Sequence, residues 1–325
     1  MKKSSVSLIY RILSILSLFL LLTDPSLALE GAKNGLLLWG MVIVPTLFPF
    51  MLCSAAIVGS GGVPWLTRPF MPFFSRFLHL SENGSYVLLS GLLCGYPMGA
   101  KTCGEFYREG RISFSEARRL LAFTNHPSPM FLVGYAASQI SAIPGNPLLC
   151  PVWRLLLCIY LPILPLAVLS GKIYGICPAS EHKGKPASAP AGNPVSLDEA
   201  ITSCAETMVK IGAYIMIFSI IVLYGAKIPF SNPVYRGILL SSIEITTGIQ
   251  AVALTVSGPA GPLLITMASA FGGLSGIFQT KSVIGSSTTK NAGLSIRHYV
   301  LWKLLHGLSS GILFILSGFL ARFLC

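Results

Sequence analysis

Glu244 is followed by 36 residues without a formal charge, and Arg236 stands eight residues before it. At 1.5 Å of rise per residue its carboxyl falls roughly 12 Å inside an apolar helical segment. An acid there costs about 2.5–3.5 kcal/mol to insert into a bilayer. A carboxyl kept at that cost is expected to hold a solute, a proton or a cation. The blander reading gives it to Thr or Ser hydroxyls on a neighbouring helix. Two polar clusters interrupt other apolar stretches: GYPMGAK, Gly95 to Lys101, and TNHPSPMF, Thr124 to Phe131. Gly95, Pro97 and Gly99 allow close backbone approach, with Lys101 read as a membrane-edge anchor. Pro127 and Pro129 release carbonyls from helical bonding beside the side chains of Asn125 and His126. Hydrocarbon cannot satisfy freed backbone groups, so such clusters survive only against protein or a wet cavity.

Composition explains why these residues stand out. The chain of 325 residues is 53% hydrophobic and 10% charged, against about 25% charged in a soluble domain. Uncharged runs of 34 residues separate Lys33 from Arg68 and Arg119 from Arg154, each longer than the roughly 20 residues that cross a bilayer as helix. The chain therefore reads as an all-α, polytopic, multi-pass membrane protein with membrane lipids as partners. Its net charge of +12, from 23 basic and 11 acidic residues, is scattered over connectors. Anionic headgroups account for it; no basic stripe with interleaved aromatics suggests nucleic acid. Eight cysteines without a C-x-x-C pair read as small buried apolar residues. Phosphate-loop, zinc and dinucleotide patterns are absent, so no cofactor and no metal site is expected.

About nine spans position the clusters. Residues 1–30 are signal-like, ending in Ser26-Leu27-Ala28, or form an uncleaved first helix, the reading favoured here. Pro64 to Leu80, with five aromatics and two Arg, suits an interfacial helix. Ser113 and Glu116 have capping-box spacing, and Glu206 and Lys210 the i,i+4 spacing of a helical ion pair. A Pro-rich loop at 177–194 reads as flexible and exposed.

The two halves also match. Asn34 to Gly59 aligns with Ala200 to Gly225, GYPMGAK with EITTGIQ (Glu244 to Gln250), and FTNHPSPMF with FGGLSGIF (Phe271 to Phe278). Gly99 to Phe123 is 24 residues and Gly248 to Phe271 is 23, which favours duplication. Proteins built so place a solute site where Gly- and Pro-interrupted helices of the repeats meet. The expected site residues are Gly95, Pro97, Gly99, Asn125, His126, Glu244, Thr247 and Ser275.

GYPMGAK, the EARRLLAFTN segment (Glu116 to Asn125) with its Pro-Ser-Pro continuation, EITTG and FGGLS together resemble the sporulation integral membrane proteins of the YlbJ type, over roughly residues 30 to 320. That resemblance implies nucleoside-recognition (Gate) repeats at 31–172 and 200–325, joined by the 173–199 loop. It implies a transporter-like, non-enzymatic protein of spore-forming bacteria, needed for spore cortex formation, with a small polar solute such as a nucleoside or ion. Oligomeric state has no signature. Two rivals stand beside it. One is a non-transporting scaffold of the sporulating cell membrane. The other is an intramembrane serine protease, because Gly273-Leu274-Ser275-Gly276 matches G-x-S-G, with His298 or His306 as base.

Overall fold

The computed structural model describes residues 11–12, 15–19, 21–144, 151–175, 196–284 and 294–324. The expected loop at 177–194, and Cys150, Cys177 and Cys325, lie outside the described residues. Proline and glycine decide where the helices stop. α1 (Pro25–Leu38) runs through a π-helical turn at Trp39–Ile43 into α2 (Val44–Gly59). α3 (Glu82–Cys94) and α4 (Met98–Arg108) are parted by Gly95 to Pro97. α5 (Phe114–Phe123) and α6 (129–141, π-helical over Leu132–Ala136) are parted by Thr124 to Ser128. α7 (Val152–Tyr160) and α8 (Ile163–Tyr174) close the first half. α9 (Leu197–Ala226) opens the second. α10 (Pro233–Ile243) and α11 (Ile245–Thr255) break at Glu244, α12 (Ala260–Phe271) and α13 (Gly273–Ile284) break at Gly272, and α14 (Ile296–Leu324) is last. The four interruptions fall at the segments that the alignment of halves pairs.

Among the described residues, five helical stretches are long and apolar enough to cross a membrane: 25–59, 152–174, 197–226, 260–284 and 296–319. The protein is an all-α, polytopic membrane protein. Others of the expected spans, such as Gly237 to Val256, are broken into shorter helices. Glu244 is not in mid-span: α10 and α11 reverse there and pack along each other. A Cβ on Gly248 would stand 2.4 Å from the Ser241 Cα, so only glycine lets this hairpin close. α3 and α4 form a similar hairpin, tied by a 3.0 Å hydrogen bond between the Ser90 and Thr102 hydroxyls. At 1.5 Å per residue each 11-residue arm of the Glu244 hairpin reaches only about 16 Å, half a hydrocarbon core.

Local chemistry fixes the remaining turns. Residues 63–77 form short helical turns with Trp65, Phe73 and Phe77 exposed and Phe74 buried, an amphipathic surface segment rather than one helix. Ser113 Oγ accepts from the Glu116 N–H at 3.2 Å. The Glu116 carboxylate reaches across to Ser81, accepting from its N–H at 2.8 Å and its hydroxyl at 3.0 Å, so it fastens the start of α3. The expected Glu206–Lys210 pair does not form. Both side chains are exposed, where an ion pair gains little over solvation.

α1 and α9 make the most extensive helix contact. Gly31 and Gly35, in G-x-x-x-G spacing, bring the backbones together; a Cβ on either would lie 2.7 or 2.8 Å from an α9 Cα. The end of this pair is clamped by Asp24, which caps α1 by accepting from the Leu27 N–H at 3.1 Å and takes the Lys227 ammonium. The Lys227 hydrogen bond, helped by Ser26 and Leu27, holds the Asp24 carboxyl at about 2. A depressed carboxyl stabilises above its unfolded value and loses that contribution as pH falls through its folded value, so this clamp is intact at neutral pH. The Ser26-Leu27-Ala28 sequence lies inside α1.

Gly31→Ala and Gly35→Ala should each lower the melting temperature in detergent, because overpacking a tight contact costs about 1–3 kcal/mol. Gly40→Ala, with no atom within 4 Å of where its Cβ would stand, should leave it unchanged. Equal melting of all three would refute backbone contact at this seam.

Candidate functional site

Three of the four interruptions line one small cavity, of about 50 Å³. Tyr96 comes from the first, Pro127 and Ser128 from the second, Glu244 and Thr246 from the third, and Gln279 from α13 beyond the fourth. The apolar wall is supplied by the start of α2 and by Ile211 and Ile215 of α9. Ser128 caps α6, its hydroxyl accepting from the Phe131 N–H at 3.2 Å. Glu244 caps α11. Two helix N-termini, with their positive dipole ends, therefore open on this space.

Glu244 is wholly buried. Its Oε2 accepts from the Thr247 N–H at 2.7 Å and from the Thr246 hydroxyl. Its Oε1 has no hydrogen-bond partner among the described residues. Helix capping therefore accounts for one carboxylate oxygen and leaves the other to the cavity. The Thr247 hydroxyl pairs with Ser219 at 2.6 Å. Ser275 accepts from Gln279 Nε2 at 3.0 Å, so Gln279 lines the cavity and Ser275 orients it.

The first two clusters act through their neighbours. Gly95 and Pro97 flank Tyr96, and Gly95 takes φ +82°, which glycine tolerates. Gly99 makes room for the Thr124 carbonyl, which a Cβ would meet at 2.1 Å; its role is close packing of α4 on the second interruption. Asn125 and His126 sit behind Pro127 and Ser128. Asn125 Nδ2 donates to Thr280 at 2.8 Å and to the Tyr299 hydroxyl at 2.7 Å. His126 is buried edge-on to Tyr160, and neither ring nitrogen makes a well-aligned hydrogen bond among the described residues.

Behind the cavity lies a residue that the sequence reading did not single out. Lys303 of α14 is 2% exposed. Its ammonium donates to the Asn125 carbonyl at 2.8 Å and the Tyr96 hydroxyl at 3.1 Å, and lies 3.3 Å from His306 Nδ1. His306 Nε2 is 2.8 Å from the Ile159 carbonyl; a carbonyl only accepts, so Nε2 carries the proton and Nδ1 is free to accept from Lys303. The Tyr96 hydroxyl reaches the Ser269 and Ala270 carbonyls at 2.7 and 3.1 Å. The carbonyl ends of α5, α7 and α12 thus converge on one buried amine, directly or through one side chain. Tyr299, Lys303, His306 and Ser310 are all buried on one face of α14. Their spacing of four, three and four was the available signal.

Ser275 is hydrogen-bonded to neither histidine: His306 is engaged with Lys303 and Ile159, and His298 packs beside Tyr174. Among the described residues no cluster of His, Cys, Asp or Glu could hold a metal ion. Lys101, expected at a membrane edge, pairs with Glu105 at 2.9 Å and is largely buried.

One curated relative is similar to this chain: the sporulation integral membrane protein YlbJ of Bacillus subtilis (strain 168). It is 36% identical over 130 residues, an alignment covering 38% of this chain and 32% of the relative. The matched region therefore spans about a third of that protein's length. No family profile and no solved structure matches the chain. Similarity to an integral membrane protein agrees with the five crossing helices. This is a multi-pass membrane protein, similar over those 130 residues to YlbJ.

Lys303→Met, which keeps the volume but removes the donors, should lower stability by about 1–3 kcal/mol through unpaired buried acceptors. Lys172→Met, at an exposed position, should not. Matching thermal melts of the two variants would contradict a holding role for Lys303.

Proposed function

We propose that the protein is a transporter-like membrane protein that handles a small polar solute or ion in the cavity at Glu244, and that it acts in sporulation, as the name of its relative suggests. The observation that carries the reading is the unpartnered Oε1 of a fully buried carboxylate beside a cavity lined by interruptions from both halves. An intramembrane acid kept with a vacant oxygen is placed for a ligand rather than for packing. Gln279, Ser128 and Tyr96 add neutral donors and acceptors, which suits a polar solute. The protein is non-enzymatic in this reading, since Ser275 lacks a base. A nucleoside, the solute that the Gate resemblance implies, belongs in the panel to be tried.

Glu244→Gln is the sharpest test, because the amide oxygen can still accept from Thr247 and cap α11. In sealed vesicles the wild type should take up at least one of a panel of nucleosides, amino acids and ions above empty vesicles. Glu244→Gln should cut that uptake by about tenfold or more, the worth of a charged hydrogen bond. Uptake equal to that of empty vesicles across the panel would refute the proposal.

The scaffold reading draws on a different observation, that Oε2 of Glu244 and the amide of Asn125 are already engaged within the protein. It requires that sporulation fail in Glu244→Gln and Asn125→Ala cells only in proportion to lost folded protein. A sporulation defect at full protein level would exclude it.

A further inference from the structure

A second cavity, of about 180 Å³, opens where α4 ends and α9 begins. Its wall is mixed, with Ser54, Thr102, Ser203 and the Lys101–Glu105 pair set among Met51, Val58 and Met98. Glu105 and Glu109 at its rim are 33% and 37% exposed. α9 starts in a full capping box at Ser196 and Glu199 with Asp198 in its first turn. That concentration of charge marks this end of the bundle as facing water.

Between the two cavities stands a buried apolar cluster that includes Leu47, Met51, Met98, Met208 and Ile211. Each helix that lines both cavities does so with a single face. On α2, Leu47 lines the inner cavity, and Met51, Ser54 and Val58 the outer one, at spacings of four, three and four. On α9, Ile215 and Ile211 line the inner cavity, and Cys204 and Ala200 the outer one. Along the first hairpin, Cys94 is inner and Met98, Thr102 and Glu105 are outer. Residues three and four apart stack on one helix face, so the faces of α2 and α9 lead from one cavity to the other without turning away, while the α3–α4 hairpin turns between the cavities at Gly95 to Pro97. The barrier is thin: Leu47 to Met51 is about 6 Å of helix and Ile211 to Cys204 about 10 Å.

The side chains in that barrier suit a moving part. Methionine is unbranched with three rotatable bonds, so it can swing aside without backbone motion. An apolar constriction of this kind also excludes water and ions while closed. We propose that Met51, Met98 and Met208 form the gate of a solute path that enters at the α4–α9 rim and leads to the cavity at Glu244. The use of the path for transport rests on the reading above; the gate itself can be tested without any solute.

Two thiols report on it, in full-length chains that each keep one cysteine. Cys94 lies inside the gate, and Ser203→Cys places a thiol outside it. With a small charged methanethiosulfonate followed by mass spectrometry, Ser203→Cys should be modified more than about tenfold faster than Cys94, since the charged probe is excluded by the closed constriction. Shortening the gate with Met51→Ala and Met208→Ala should bring the Cys94 rate up towards that of Ser203→Cys. Should the double variant fail to fold, Met208→Ser alone should move the rate the same way by wetting the constriction. Cys94 reacting as fast as Ser203→Cys in the intact gate would overturn the proposal. So would Cys94 remaining slow in gate variants with wild-type elution and melting. A working gate in a protein that takes up no solute would sink the transport reading and leave the gate standing.

Discussion

Everything in this fold follows from one constraint: a helix broken inside hydrocarbon must have its loose carbonyls and N–H groups satisfied by protein. Lys303 meets that demand at the carbonyl ends. Its three donors face the Asn125 carbonyl, the Tyr96 hydroxyl and His306, and through the last two they reach the ends of α12 and α7. No carboxylate hydrogen-bonds to it among the described residues. Removing one member of such a network leaves the others buried and unpaired.

The N–H ends are treated differently, and the difference creates the site. Ser128 and Glu244 cap α6 and α11 with side-chain oxygens, yet Glu244 has a second oxygen without a hydrogen-bond partner among the described residues. The molecule therefore has one polar cluster gathered on Lys303 and a second at Glu244 that opens on the cavity. Tyr96 joins them. Its hydroxyl belongs to the lysine cluster while the residue also lines the cavity. A ligand that displaced Tyr96 would loosen carbonyl ends on the far side, which gives the cavity a mechanical connection to the rest of the bundle.

Much of this was legible in the residues. The apolar runs announced a membrane protein, and Gly95, Pro97 and Pro127 marked helices that stop short. Matching the halves placed all four interruptions. Periodicity could not tell a reversing helix from a crossing one, because Gly237 to Val256 is apolar in either case; what decides is Gly248 against Ser241, a tertiary contact. For the same reason Gly99 and Thr247 fitted a ligand site by type but turn to packing and to Ser219. Lys303 was passed over because a single cation near a helix end reads as an anchor. Only the stripe of Tyr299, Lys303, His306 and Ser310, read together, shows a polar face turned inward. Glu206 and Lys210 failed in the opposite sense, having ideal spacing on a face where nothing holds them.

The central claim is that the second oxygen of Glu244 is held for a ligand in a wet hollow rather than left over from helix capping. An experimental structure at a resolution that shows ordered water tests this most directly. The account expects density, either water or solute, within hydrogen-bond distance of Glu244 Oε1, and an open cavity bounded by Ser128, Gln279 and Tyr96. A Glu244 carboxyl with both oxygens bonded to protein, in a cavity closed by its own side chains, would contradict it.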